Sequence, residues 1–489
     1  MVETYVTFAL YLIFMIAVGV YFFFKSKSVT DYLLGGRGVG SWVTALSAQA
    51  SDMSGWLLMG LPGAIYLAGF GEAWVAVGLA LGTFLNWMIV APRLRVYTEK
   101  TNSMTLAAFF SERFRDPTGY IRVFSAIITL FFFTIYAASG LNATGNLFEE
   151  MFGISYSSSV IIGAAVLLVY TFLGGYLAVC WTDLFQGILM FLALVAVPVV
   201  AYNMVGAGAV ENAMNAKGLT FSLLPAAKNN AMALVAVCSA AAWGFGYFGQ
   251  PHILVRFMSI KSVKLLPRTI TIAMIWVLFS LAAAVVIGFL AMPLFEGLDK
   301  QNCEKVFIYM VRDPKFFNPW IGGILLAAIL AAIMSTIDSQ LLVSSTTLTE
   351  DFYKFIHVDA SQKVLMRMSR IFVLVITIIA CGLALMRTET IFSLVKFAWG
   401  GFGAAFGPVV LMSLYSRKTS WQSAFAGMII GTAVMLAWYV LGFGRYMYEI
   451  LPGFVCGVLT IMIMNRFYPQ RNEEILKEFD EVADWKNKQ

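Results

Sequence analysis

An acidic residue stands inside a long apolar stretch of this sequence, where a lipid environment opposes an isolated charge. Asp52 belongs to the segment ASDMSGW at 50–56, within an apolar run from 42 to about 70. A carboxylate at the bilayer midplane costs at least about 3 kcal/mol on insertion scales, so we expect Asp52 to face protein or a watery cavity. The surrounding serines and glycine predict that the helix breaks there. A helix broken at mid-membrane exposes backbone carbonyls that can bind a cation.

A second polar group follows much later, in the segment AAIMSTIDSQ at 331–340. The adjacent hydroxyls of Ser335 and Thr336 can bind a hard cation, and Ala332 can add its carbonyl if the helix loosens. The alternative is that both hydroxyls bond to their own helix. Asp338 is another acid within an apolar stretch, which favours a functional role.

The segment AWGFGYFGQPH at 242–252 combines aromatic residues with three glycines and a proline. Glycine and proline disfavour a straight helix, so the segment predicts a second broken helix. Close packing between helices is the alternative explanation for the glycines. Trp243 and Tyr247 are four residues apart and share a helical face. An aromatic wall with a few polar tips suits a small, largely apolar ligand with one charged end.

Four more polar residues allow two interpretations each. Tyr136 either reaches the site or packs between helices, and Asp183 either caps a helix after the turn at Gly174-Gly175 or lies on an ion path. Arg37 either anchors to lipid headgroups or gates against an acid on the inner face. Lys396 either extends to the membrane surface or has a role inside the bundle.

The composition identifies the kind of protein that must hold these residues. Of the 489 residues, 60% are hydrophobic and only 12% are charged, which indicates an integral membrane protein with all-α architecture. Five dispersed cysteines and two histidines form neither a disulfide framework nor a metal-binding spacing. Since no nucleophile and base pair is evident either, we predict that the chain is not an enzyme. The net charge of +6 is attributed to membrane topology and not to nucleic acid.

The apolar runs predict thirteen transmembrane helices, including a retained first span. Placing the N-terminus outside and the C-terminus in the cytoplasm puts 24 of the 33 lysines and arginines on the inner side. Positive charge concentrates on the cytoplasmic side of membrane proteins, so this orientation in the cell inner membrane is expected.

The two predicted broken helices each begin a group of five spans. Because five is odd, the second group enters from the opposite side, which predicts an inverted repeat. The expected organisation is a first span and loop at 1–41, repeat one at 42–203, repeat two at 204–416, two further spans at 417–465 and a cytoplasmic tail at 466–489. The tail is predicted to form either a short amphipathic helix or a solvated extension.

Three motifs carry a resemblance to a known family: ASDMSGWLLMGLPG at 50–63, GYFGQPH at 246–252 and WGGFGAAFGP at 399–408. With DYLLGGR at 31–37, they make the chain similar to the sodium/solute symporter family, and in particular to its sodium/proline branch, over nearly its whole length. The resemblance implies a core of the leucine-transporter type with five plus five inverted spans. It also implies coupled uptake of sodium and L-proline by alternating access, with no obligate protein partner.

The resemblance further implies where both ligands bind. Sodium would take the backbone carbonyls of Ala50, Met53 and Ala332 and the hydroxyls of Ser335 and Thr336, with Asp52 influencing affinity from beside that site. Proline would lie near Ser54, Trp56, Tyr136, Trp243, Tyr247, Gln250 and Pro251.

Asp338 and Lys396 depart from the pattern of the branch, and Asp338 leaves open a second cation or another coupling ratio. Two alternative functions remain. One is sodium-coupled uptake of another small amino acid or a monocarboxylate on the same fold. The other is a membrane sensor, although the predicted tail is short for a signalling domain.

Overall fold

The computed structural model describes residues 2–25, 34–222, 224–225, 229–357 and 359–484. Within these ranges the regular secondary structure is helical, and the backbone bridge between Val39 and Ile260 is isolated. The start of the 31–37 motif and the last five residues of the predicted tail lie outside the described residues.

The longer helices form the body of the molecule, and short helical turns connect them. In chain order the α-helices are α1 Val2–Lys25, α2 Ser41–Asp52, α3 Leu61–Ala68, α4 Ala73–Leu85, α5 Ala91–Lys100, α6 Leu106–Phe114, α7 Tyr120–Phe152, α8 Tyr156–Met204, α9 Ala209–Ala216, α10 Asn230–Ala241, α11 Pro251–Ser259, α12 Leu266–Leu294, α13 Val306–Arg312, α14 Pro319–Thr346, α15 Lys354–Ile356, α16 Gln362–Leu385, α17 Ile391–Tyr415, α18 Trp421–Val440, α19 Ile450–Phe467 and α20 Glu473–Ala483.

The described residues contain eleven helical stretches long and apolar enough to cross a membrane, compared with thirteen predicted spans. The difference arises where helices run together or are short. The stretch Trp56–Lys100 is 45 residues long, whereas Tyr156–Val169 falls below the length of a full span. The all-α membrane architecture is therefore confirmed.

Both predicted helix breaks are present. Helix α2 ends at Asp52, and Met53 leaves helical geometry with φ −86° and ψ 76° before a π-turn begins at Trp56. Helix α10 passes into the 3₁₀ segment Ala242–Gly249, and Gln250 is extended with φ −83° and ψ 105°. Helix α11 then begins at Pro251, which suits a first helical position because the backbone nitrogen there needs no partner.

The predicted glycine turn between the fifth and sixth spans is present. Two helices within the range of α8 meet at Gly175, whose non-helical φ of 65° and ψ of −179° favour a residue without a Cβ atom. Asp183 lies well inside the second of these helices and not in its first turn.

Helix α14 lies at the centre of the bundle, between α2, α7, α8 and α1. Small residues allow close approach at these contacts. A Cβ atom on Gly140 of α7 would lie 2.5 Å from the Ile337 side chain of α14, and one on Gly55 would lie 2.9 Å from Ala143. These approaches bring the Ser335-Thr336 pair beside the break in α2.

The C-terminal residues form the predicted amphipathic helix, and that helix packs against the body. Ile475, Phe479 and Val482 of α20 are buried. The opposite face carries acidic residues that form ion pairs with three separate segments: Glu481 with Lys100, Glu474 and Glu478 with Arg115, and Asp480 with Arg417. The alternative of a solvated extension is therefore wrong for Glu473–Ala483.

Candidate functional site

Four of the five predicted cation ligands come together where α14 meets the end of α2. The Ser335 hydroxyl lies 2.7 Å from the Ala50 carbonyl oxygen and 3.1 Å from that of Ala332. The Thr336 hydroxyl lies 3.4 Å and 3.3 Å from the same two carbonyls. Two hydroxyl and two carbonyl oxygens therefore converge in a buried position. This is a set of neutral, hard donors suited to an alkali or alkaline-earth cation.

The two helices contribute these oxygens for different reasons. The hydroxyls of Ser335 and Thr336 donate to the Ala332 carbonyl of their own helix, which was the alternative considered from the sequence. Both hydroxyls also lie within hydrogen-bond distance of the Ala50 carbonyl of α2. The Ala50 carbonyl is accessible because α2 stops two residues later, so no full helical turn follows it. Met53, the fifth predicted ligand, lies at the break, and in the described part of the chain no hydrogen bond joins it to the hydroxyl pair.

Asp52 places a carboxyl group two residues after Ala50, beside this group of oxygens. Its side chain is fully buried, and one carboxylate oxygen accepts a hydrogen bond from the Tyr247 hydroxyl. The other oxygen has no hydrogen-bond partner among the described residues. A buried carboxylate without a cationic partner attracts positive charge strongly, because the low-dielectric surroundings screen it poorly. The position of Asp52 fits its predicted influence on cation affinity.

Trp243 is the centre of an aromatic cluster at the second helix break. Its ring centroid lies 6.2 Å from that of Trp56 and 5.1 Å from that of Phe392. The rings of Tyr448 and Trp399 lie at 5.4 Å and 6.5 Å. The cluster joins both broken helices to α17, and it supplies the aromatic surface predicted for a small, largely apolar ligand.

The other predicted ligand residues lie around this cluster. The Ser54 hydroxyl accepts a hydrogen bond from the Trp56 backbone amide at 3.4 Å, and the Trp56 indole donates to the Asp52 carbonyl at 3.2 Å. Gln250 donates to the Trp399 carbonyl at 3.2 Å. Tyr136 is buried, with its ring 6.2 Å from that of His252, just after Pro251.

The sequence interpretation missed three aromatic members of this site: Phe392, Trp399 and Tyr448. Trp399 donates its indole hydrogen to the Trp243 carbonyl at 2.8 Å and packs edge-on against Tyr247. A signal for Trp399 was present, because it begins the glycine-rich WGGFGAAFGP segment. Phe392 and Tyr448 belong to no glycine-rich or repeated motif in the sequence, and local patterns do not distinguish them.

A second group of buried polar side chains contacts α2 in the turn before its end. Asp183 and Arg256 form an ion pair at 3.2 Å with both side chains fully buried. Ser47 and Ser51 donate to the same Asp183 oxygen at 2.7 Å and 3.0 Å. Arg256 also donates to the Ser339 hydroxyl at 2.6 Å, so one network joins α2, α8, α11 and α14.

This network corrects two sequence interpretations. Arg256 is not a loop charge on the inner side as the topology count treated it; it is buried within α11. Asp183 does not cap a helix, because its recorded partners are the side chains of Ser47, Ser51 and Arg256. Of its two proposed roles, the one within the bundle is compatible with this position.

Asp338 and Arg37 have hydrogen-bond partners other than the four converging oxygens. The Asp338 carboxylate is fully buried and accepts the Thr171 hydroxyl of α8. The Arg37 guanidinium donates to the carbonyls of Thr98, Ser103 and Met258 at 2.8 to 2.9 Å. Those partners are carbonyls and not the acid that the gating hypothesis required.

Lys396 lies near the start of α17, its ammonium 5.0 Å above the Tyr448 ring. Among the described residues, no group of three or more histidine, cysteine, aspartate and glutamate side chains forms a metal centre. The four converging oxygens belong to carbonyls and hydroxyls, which suit reversible cation binding better than permanent retention.

Two interrupted helices, a buried oxygen cluster where one of them meets α14 and an adjacent aromatic cluster are typical of a membrane transporter with a central binding site. The Sodium:solute symporter family model matches residues 32–431. The chain belongs to the sodium:solute symporter family.

Related proteins cover almost the whole length. The chain is 45% identical over 495 residues to the sodium/proline symporter of Escherichia coli K12, covering 98% of this chain and 95% of that protein. It is 43% identical over 474 residues to the high-affinity proline transporter PutP of Bacillus subtilis 168, covering 96% and 99% respectively. These relatives are transporters and not enzymes, and the chain is a multi-pass membrane protein of the same kind.

A solved structure gives the same fold. The substrate-bound, outward-open state of a Na⁺-coupled sialic acid symporter superposes with a TM-score of 0.78 at 19% identity, covering 96% of this chain and 99% of the other. The transporter Mhp1 in a closed conformation gives a TM-score of 0.56 at 13% identity.

Proposed function

We propose that the protein carries L-proline into the cell together with sodium by alternating access. The observation that carries this proposal is the contact between α14 and the broken end of α2, where the Ser335 hydroxyl lies 2.7 Å from the Ala50 carbonyl. Sodium at this position, with Met53 completing the ligands, would replace hydrogen bonds with coordination and hold the two helices together. The 43 to 45% identity to proline transporters supports proline as the solute.

The segment 50–56 explains how the two solutes are coupled. Its first residue contributes a cation ligand, and its last, Trp56, faces the aromatic cluster around Trp243. Asp52 lies between them and holds Tyr247 of the other broken helix. Sodium binding therefore fixes the segment against which proline packs, between Ser54, Trp56, Tyr136, Trp243, Tyr247, Gln250 and Pro251. Asp183, Asp338 and Arg37 serve coupling and ion passage around it.

The proposed architecture has thirteen spans with a five-plus-five inverted repeat over 42–203 and 204–416, flanked by 1–41, 417–465 and the tail 466–489. The stretch Trp56–Lys100 holds the end of one span and the whole of the next, and Tyr156–Val169 belongs to a further span. The N-terminus lies outside, and α20 lies in the cytoplasm.

Sodium entry supplies the energy for accumulation in this mechanism. One positive charge moved inward across 100 mV is worth about 2.3 kcal/mol, which corresponds to roughly fifty-fold accumulation of a solute.

The direct test is uptake of radiolabelled proline into proteoliposomes with and without an inward sodium gradient. Ser335→Ala with Thr336→Ala removes two of four converging oxygens, and it should raise the sodium concentration for half-maximal uptake by orders of magnitude. Ser345→Ala with Thr346→Ala, the same pair of changes further along α14, is the matched control. Uptake that is indifferent to sodium would refute the coupling, and an unchanged sodium requirement in the first variant would refute the site. Competition by other amino acids and monocarboxylates tests the choice of solute.

A further inference from the structure

A cavity of about 540 Å³ lies beside the aromatic cluster, between α7, α16, α17 and the turn that joins α18 to α19. Its volume falls within the range of about 300–1,000 Å³ that small-molecule sites occupy. The lining combines apolar and aromatic surface, including Phe397 and Tyr439, with side chains of both charges. Such a lining suits a small molecule that is itself charged at two points.

Some of the charges around the cavity already have partners. The Arg387 guanidinium pairs with Glu149 at 3.0 Å and lies 4.1 Å above the Tyr156 ring. Arg445 lies 4.6 Å above the Tyr446 ring. Arg387 is therefore neutralised by an acid, whereas Arg445 contacts an aromatic ring and has no ion pair among the described residues, as is also true of Lys396 over the Tyr448 ring.

Glu449 is the buried acid of this lining, and Lys396 is a base on the same wall. Both line the cavity, Glu449 is only 2% exposed, and neither side chain forms an ion pair in the described part of the chain. The two groups therefore lie on one cavity without neutralising each other directly. A buried carboxylate and an ammonium held apart in this way leave a gap between opposite charges.

We infer that this cavity is a second binding site, for the zwitterion of a free amino acid, with the ligand ammonium at Glu449 and its carboxylate at Lys396. This inference rests on the proposed function, because the same solute would occupy both sites. An α-amino acid carries its two charges a few ångströms apart, and it would satisfy both side chains at once. Charge-assisted contacts at both ends select a zwitterion over a simple anion or cation.

Tyr448 links the cavity lining to the central site. The Tyr448 hydroxyl donates to the Lys396 carbonyl at 2.6 Å, and the Tyr448 ring packs 5.4 Å from Trp243. An amino acid held by Lys396 would therefore lie one residue away from the tyrosine that supports the central aromatic cluster. On the proposed orientation the cavity opens at the outer end of the bundle, so it would hold solute close to the entrance.

Equilibrium binding of radiolabelled proline to the full-length protein in phosphatidylglycerol nanodiscs tests this inference. In saturating sodium we expect two components, and in choline only the weaker cavity component, because the central site needs sodium. Lys396→Met and Glu449→Gln should each weaken the cavity component at least tenfold and leave the sodium-dependent component within twofold, which also shows that the variants are folded. Lys396→Arg should restore the cavity component. Lys418→Met, the same change in the turn that follows the opposite end of α17, is the matched control.

A single component in the wild type, or a second one that Lys396→Met and Glu449→Gln leave unchanged, would overturn the inference while the proposed function stands. Loss of the sodium-dependent component from the wild type would instead contradict the proposed function. Phosphatidylethanolamine also carries an ammonium next to an anion. A cavity component that disappears in nanodiscs of that lipid would assign the cavity to a headgroup and overturn the amino-acid site.

Discussion

The buried ion pair between Asp183 and Arg256 allows a quantitative prediction about what holds the inner part of the bundle together. Both side chains are fully buried. Breaking a buried pair from one side typically costs 3–5 kcal/mol, because the remaining charge is left uncompensated. Replacing both charged groups is often nearly neutral, because the desolvation of both is then removed.

For Arg256→Met we expect the free energy of unfolding to fall by about 3 kcal/mol, the lower end of that range. The reason is that Asp183 still accepts hydrogen bonds from the hydroxyls of Ser47 and Ser51, at 2.7 Å and 3.0 Å. For Asp183→Asn the loss should be similar, since Arg256 keeps Ser339 and the His252 carbonyl. The double variant should be at least as stable as either single variant, which gives a coupling energy of about 3 kcal/mol.

Thermal unfolding of the purified protein, followed by tryptophan fluorescence in one detergent, ranks these variants by stability. Arg417→Met with Asp480→Asn provides the matched control, because the same residue types pair there with both side chains 52% exposed. Exposed pairs contribute about 0–1 kcal/mol, so the control variants should unfold close to the wild type. A double variant at Asp183 and Arg256 that is less stable than both single variants would refute the reasoning, as would a loss no larger than the control.

Two further predictions concern other parts of the molecule. Glu304 lies between the spans and accepts the backbone amides of Ile391 and Phe392 at 3.0 Å and 2.9 Å, and burial raises its pKa from 4.5 to about 7. The pKa of Glu304 is higher in the folded state than in the unfolded state, so its contribution to stability should be complete below pH 4.5 and lost as the pH rises through about 7. Thermal unfolding measured against pH should show this loss in the wild type and not in Glu304→Gln. Identical pH profiles for the two proteins would contradict the prediction. Gly246→Ala should strongly reduce proline binding, since a Cβ atom there would lie 1.8 Å from the Trp399 indole nitrogen. Gly382→Ala is the control, because a Cβ atom at Gly382 would have no other atom within 4 Å. Equal proline binding by both variants would exclude this packing argument.

The sequence was sufficient to predict both helix breaks, because glycine, serine and proline act locally on the backbone. Met53 and Gln250 leave helical geometry where the pattern indicated. The convergence of Ser335 and Ala50 was also expected, but only through the family resemblance, since 285 positions separate the two residues. Periodicity and composition contain no direct information about such distant pairs.

The same limit explains the error at Arg256. The seventh span was expected to end at 252, which placed Arg256 in a loop, whereas its acceptor, Asp183, lies 73 positions away. Burial decides this case, and burial depends on which helices meet. The turn at Gly174-Gly175 was predicted correctly, because the positive φ of Gly175 is a local property of the backbone.

The pairing of α20 with Lys100 and Arg115 has a consequence for how the molecule is assembled. These contacts join residues 359 to 381 positions apart in the chain. They cannot form until the intervening helices have been synthesised and inserted into the bilayer, because α20 follows all of them. On the proposed orientation, a nascent chain would present Lys100, Arg115 and Arg417 as basic groups without these partners throughout membrane insertion, when positive charge helps to retain loops on the cytoplasmic side. The same residues would then act first in establishing topology and later as the docking points of α20.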